Sequence, residues 1–256
     1  MRVMGKPPHR IAQFDAYLAT LRPLLCGEES TFEGQPIRHI MPDKGFVNFE
    51  DPIPLYISGF GPRSLGLAGK HGDGAVLGVP KTPDSMEKIW NIIEEGARDS
   101  GRSLDREDFY TTAVVAMVVL EDGESPDSDR VKSQCGASAM ATIHFVYEQY
   151  RNFGRQPPDY LAGIWDDYTA LLETYDEAHR HQRIHGGHNC WVLPDEERFL
   201  TEGVLKSTSL IGTRGELIER LRALGDAGLD QVMILPNFDT RFDVLESVAR
   251  DLIGEV

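Results

Sequence analysis

The decapeptide Pro54-Leu-Tyr-Ile-Ser-Gly-Phe-Gly-Pro-Arg63 constrains this chain more than any other stretch. Leu55, Tyr56 and Ile57 suit a pleated, half-buried strand. Gly59 and Gly61 admit backbone conformations that a Cβ would resist. Pro62 fits the first position of a helix, where its missing N–H costs nothing. The segment therefore reads as strand, glycine turn and helix. The free N–H groups of the helix's first turn, with the positive end of its dipole, suit an anion such as a phosphate. Arg63 either pairs with that anion or stands in solvent. The plain alternative is a tight strand-to-helix turn that holds no ligand.

The flanking sequence repeats this alternation. Ile11, Phe14, Tyr17, Leu18, Leu21 and Leu25 recur at helical spacing, and Gly27 fits as the stop. A short hairpin is expected around Phe32-Glu-Gly-Gln-Pro36. Strands are then expected over 53–58, 75–79, 109–120 and 231–235, the third apolar on both faces like a buried parallel strand. Helices are expected from Pro62 to Lys70, from Thr82-Pro-Asp-Ser85 to Ser100, from Ser125-Pro126 to Phe153, and from Arg241 to Ile253. Thr213-Arg-Gly-Glu216 has the form of a capping box opening another, which ends near Gly228. Repeating βα units point to a parallel α/β architecture, either a barrel or an open sheet. About four strands are visible, where a (β/α)₈ barrel needs eight.

Composition narrows the partners. The net charge of −15 argues against nucleic acid and against an anionic membrane. No apolar run approaches the roughly 20 residues that a spanning helix needs. Cys26, Cys135 and Cys190 are far apart and form no C-x-x-C pair, so a disulfide framework is not expected and a reducing cytoplasm is. With 256 residues, the chain is long enough for one large domain or two small ones.

Among titratable groups, His179, His181, His185 and His188 have metal-ligand spacing. No carboxylate or cysteine falls at a matching offset, and Gly186-Gly187 breaks the helix before His188, so no metal site is expected. A substrate-facing or acid/base role suits His185 or His188 better, since imidazole titrates near neutrality. Asp166-Asp167 and Glu196-Glu197 read as solvated helix faces, and their adjacent side chains diverge, so neither makes a carboxylate dyad. No nucleophile elbow is present, which leaves hydrolase chemistry without support.

Three stretches, taken in order, resemble the luciferase-like monooxygenase family of flavin- and deazaflavin-dependent oxidoreductases. The first runs from Pro52 through Gly59-Phe-Gly-Pro-Arg63 to His71-Gly-Asp-Gly74. The second is the Leu24-Leu-Cys-Gly-Glu-Glu29 helix ending with Thr31-Phe-Glu-Gly34. The third is Ile211-Gly-Thr-Arg-Gly-Glu216 with the helix and strand that follow. The resemblance implies one luciferase-like domain over residues 1–256, with a TIM-type barrel fold and coenzyme F420 or FMN as cofactor. It further implies a homodimer acting on a small organic substrate by hydride transfer or monooxygenation. His185-x-x-His188 and Ile211-Gly-Thr213 are more similar to the deazaflavin branch. By resemblance, Ser58, Gly59, Phe60, Gly61, Pro62 and Arg63 lie beside the coenzyme phosphate, Gly78 borders the same site, and residues 160–205 cover the substrate face. Family chains carry about four further βα units ahead of the first helix here. The chain is therefore expected to be an incomplete barrel, from a truncation or a misplaced start. That leaves a second reading, a non-catalytic remnant serving as a binding or dimerising module. A third is an unrelated open sheet that binds another phosphorylated ligand.

Overall fold

The computed structural model describes residues 9–78 and 80–256. In chain order the elements begin with helix α1 (Ile11–Leu25), strands β1 (Ser30–Phe32) and β2 (Gln35–Ile37), and strand β3 (Tyr56–Gly59). They continue with α2 (Pro62–His71), β4 (Gly74–Gly78), α3 (Pro83–Asp99), β5 (Tyr110–Val115) and β6 (Met117–Val119). Helices α4 (Asp129–Phe153), α5 (Trp165–Glu173), α6 (Arg180–Arg183) and α7 (Glu202–Thr208) come next. The chain closes with β7 (Leu210–Gly212), α8 (Arg214–Asp226), β8 (Gln231–Ile234) and α9 (Arg241–Asp251). The residues fall into two compact units, one of residues 9–113 with Leu224–Val232, the other of Val114–Ala223 with Met233–Val256.

The main sheet has the strand order β3-β4-β5-β8, so β3 and β8 are its edges. Strands β3 and β4 pair in parallel, with Tyr56 opposite Gly74 and Gly59 opposite Leu77. The expected start of β3 at residue 53 is not observed. Pro52 and Pro54 have no N–H to give a ladder, and the Leu55 N–H goes instead to Asp73 Oδ2 at 2.8 Å. The same carboxylate is gripped by the Arg22 guanidinium of α1, whose Nη2 is 2.7 Å from Oδ1. Burial would raise the Asp73 pKa, but the hydrogen bonds from Arg22 and from the Leu55 N–H outweigh it and hold the carboxyl low. This unit's core comprises Leu18, Ile57, Leu77, Met86, Trp90 and Ile93 with their neighbours, and the Trp90 indole donates to the Gly228 carbonyl at 3.2 Å.

Two local expectations need correction. The run 109–120 is not one strand but β5 and β6, broken at Ala116. The reason is a change of partner: Val115 accepts from the Leu235 N–H, while Ala116 accepts from the Leu210 N–H. Beyond the break, β6 pairs in parallel with β7, Met117 opposite Leu210. Helix α4 starts at Ser128, not at Ser125-Pro126. The Ser128 hydroxyl accepts from the Val131 N–H at 3.2 Å, whereas Ser125 closes a turn ahead of it, its carbonyl accepting from the Ser128 N–H. The second unit's core lines one face of α4, with Val131, Cys135, Met140 and Ile143 packed on Leu161, Tyr168, Leu172, Phe199 and Leu205. Burial pushes the Cys135 thiol up to about 12, so it serves as an inert core residue.

Candidate functional site

The turn after β3 brings Ser58, Gly59, Phe60, Gly61, Pro62 and Arg63 together with Gly78, all at the carboxyl ends of β3 and β4. A Cβ on Gly78 would stand 3.1 Å from the Phe60 ring, so the exposed phenyl lies over the end of the neighbouring strand. The two turn glycines are not there for unusual backbone angles, as the sequence suggested. Neither has positive φ, and Gly61 is extended at φ −143°, ψ 163°. Gly59 is required by contact instead: a Cβ would meet the Leu65 nitrogen at 3.0 Å and the Ser64 carbonyl carbon at 3.1 Å. At Gly61, apart from its chain neighbours, nothing among the described residues lies within 4 Å of the Cβ position.

Helix α2 begins its ladder with the Leu65 N–H on the Gly61 carbonyl, and the Ser64 hydroxyl ties back to Gly61. The N–H groups of Arg63 and Ser64 lie ahead of that ladder, and Pro62 has none to place. They and the helix dipole leave a small electropositive spot beside the open space at Gly61. Arg63 is exposed and also lines a cleft of about 890 Å³, whose other walls include Phe14, Tyr17 and Thr20 of α1 and Phe32 of β1.

A second constellation lies in the unit that holds α4. One imidazole nitrogen each from His144, His185 and His188 lie within 4.8 Å of one another. His144 is 2% exposed, and its Nε2 is 3.0 Å from Glu196 Oε1; Glu196 is therefore not on a solvated face as the sequence suggested but is 1% exposed, held inside by this imidazole. His185 Nε2 is 3.0 Å from Glu148 Oε1, and its Nδ1 is 3.5 Å from His188 Nδ1. Although His188 as a whole is exposed, partial desolvation of its ring first, then the neighbouring His185 and His144, lower its pKa. Close by, the Tyr175 hydroxyl donates to Asp195 at 2.9 Å; burial and that carboxylate push it up to about 12.

Sequence spacing found His185 and His188 but missed His144, which comes from α4. The available signal was His144-Phe-Val-Tyr-Glu148, a titratable pair at i and i+4 on an otherwise apolar helix face. His179 does not join the cluster and pairs with Asp176 at 2.8 Å.

The sequence model of the family described as luciferase-like monooxygenase matches residues 1–231. An F420-dependent glucose-6-phosphate dehydrogenase of Nakamurella multipartita is 27% identical over 240 residues, which cover 86% of this chain and 62% of that protein. A 5,10-methylenetetrahydromethanopterin reductase of Archaeoglobus fulgidus is 27% identical over 216 residues, 83% of this chain and 56% of that protein. The chain thus spans about 60% of the length of these relatives. Among solved structures, the coenzyme F420 dependent tetrahydromethanopterin reductase of Methanopyrus kandleri superposes with a TM-score of 0.55 at 18% identity, covering 92% of this chain and 60% of that one. The fold is of the luciferase-like barrel type, and the described residues supply four strands of its sheet without closing it. The matched profile and the parallel βα units carry one conclusion: this chain belongs to the luciferase-like monooxygenase family.

Proposed function

We propose that this chain binds coenzyme F420 or FMN through its phosphate at the turn Ser58–Arg63, as part of an oxidoreductase acting on a small organic substrate. One observation carries the reading: at Gly61, the residue that caps the electropositive start of α2, no atom of the described residues beyond its chain neighbours lies within 4 Å of the Cβ position, in a member of a family of coenzyme-dependent enzymes. The relatives' names favour F420, since one is an F420-dependent dehydrogenase.

When bound, the coenzyme would supply the hydride or oxygen chemistry, and the protein placement and electrostatics. The Arg63 and Ser64 N–H groups would hold the phosphate, with the Arg63 guanidinium adding charge. Phe60, exposed over Gly78, would exclude water from the ligand beside it. A cytoplasmic homodimer belongs to the same reading, supported by family resemblance and by three cysteines that are free thiols. Among the described residues no helix is long and apolar enough to cross a membrane.

The purified protein should be titrated with F420 and with FMN, following fluorescence. Saturable binding of one of them supports the reading, and no binding of either at high micromolar concentration sinks it. A second reading, a non-catalytic dimerising module, is favoured by the exposed side chains of Tyr56 and Phe60 on and beside edge strand β3. It predicts an oligomer on gel filtration that takes up neither coenzyme.

A further inference from the structure

We propose that His144, His185 and His188 form a binding site for a divalent transition metal of the zinc class, with a fourth position open to solvent. A tetrahedral ion with Zn–N distances of 2.0–2.1 Å sets its ligand nitrogens about 3.4 Å apart. The His185 Nδ1 to His188 Nδ1 separation is 3.5 Å, and the third imidazole offers a nitrogen inside the same 4.8 Å circle. The buried His144 supplies an independent sign. Its Nε2 faces Glu196, so the proton belongs there and Nδ1 carries a bare lone pair. That Nδ1 is buried without a hydrogen-bond partner among the described residues, a costly arrangement that a metal ion would relieve.

The surroundings have the form metal-bound imidazoles take. Glu196 and Glu148 each take the Nε2 of one histidine, which fixes the tautomer and leaves Nδ1 as the nitrogen with the lone pair. Neutral imidazole is also what suits zinc, copper and nickel rather than magnesium or calcium. His188 is exposed, so the open coordination position faces water, as where three protein ligands leave room for a water or a substrate oxygen. As ligands, His185 and His188 would not serve as the acid/base groups suggested by sequence alone.

Gly186-Gly187, which separates His185 from His188 on a helix, instead lets a turn bring the two rings edge to face with centroids 5.2 Å apart. The proposal does not rest on the coenzyme reading, and coenzyme binding enters neither outcome of its test. Tag-free protein, stripped with a chelator, is titrated with Zn²⁺ and separately with Co²⁺. Expected are one equivalent of Zn²⁺ bound per chain and the intense visible d–d bands of four-coordinate Co²⁺. His188→Ala lies at an exposed position and should keep the fold by circular dichroism while losing at least about 10-fold in affinity. Glu196→Gln should weaken binding about 10- to 100-fold. The double variant His179→Ala/His181→Ala should bind like the parent. Absence of saturable one-equivalent binding, a weak octahedral Co²⁺ spectrum, or equal affinity in His188→Ala would each overturn the proposal.

Discussion

A Cβ on Gly59 would press on the backbone of Leu65, whereas one on Gly61 would stand in open space. The two glycines, indistinguishable as letters, therefore predict opposite phenotypes. Gly59→Ala should cost about 1–3 kcal/mol, because the backbone it meets cannot turn aside like a side chain. Urea unfolding measures this. Gly61→Val should leave the unfolding midpoint close to the parent's and weaken F420 or FMN binding, since the added side chain takes the space assigned to the phosphate. A large stability loss in Gly61→Val would mean that the space is not open. Glu124 gives a pH test at the same scale. Hydrogen bonds from Arg130 first, opposed by burial and helped by Ser128 and the Glu121 N–H, hold its carboxyl down at about 2. A carboxyl depressed in the folded state stabilises fully above its ordinary value and loses that contribution as pH falls through the folded one. Glu124→Gln should thus lower Tm at pH 7 and flatten the Tm decline between about pH 5 and pH 2. An unchanged profile would contradict the pairing.

At the scale of elements, Ser128→Ala should cost about 1 kcal/mol as the lost N-cap of α4, and Ser125→Ala much less. Equal losses would put the start of α4 back at Ser125. Local chemistry made most helix starts legible. Thr82 and Ser85 exchange backbone-to-hydroxyl bonds at 3.0 and 3.2 Å, and Thr213 with Glu216 closes the box that its spacing announces. The hairpin was readable for the same reason: β1 and β2 pair antiparallel about Glu33 and Gly34, both at positive φ. What escaped was long-range. The division of 109–120 at Ala116 depends on which strand each carbonyl meets, and no local pattern encodes that. The sequence put the cap of α4 at Ser125-Pro126, whereas the fold places it three residues on at Ser128. His144 was hidden likewise, since its partners His185 and Glu196 lie about 40 and 52 residues away along the chain.

For the whole molecule, family membership was legible from three ordered stretches, and the matched profile over 1–231 agrees with it. The incomplete sheet was legible from the count of four strands; the chain spans about 60% of its relatives' length. The grouping of Ser58–Arg63 with Gly78 was expected, but the physical reason for each glycine needed the packing around it. The central claim is that the start of α2 and the space at Gly61 hold a coenzyme phosphate. Its most direct test is a fluorescence titration of the parent and of Gly61→Val with F420 and with FMN, both proteins first matched for circular dichroism and melting. The account predicts saturable binding of one coenzyme by the parent and at least a tenfold weaker binding by the variant, a loss of about 1.4 kcal/mol. Equal affinity in the two, or no binding by the folded parent, would contradict it.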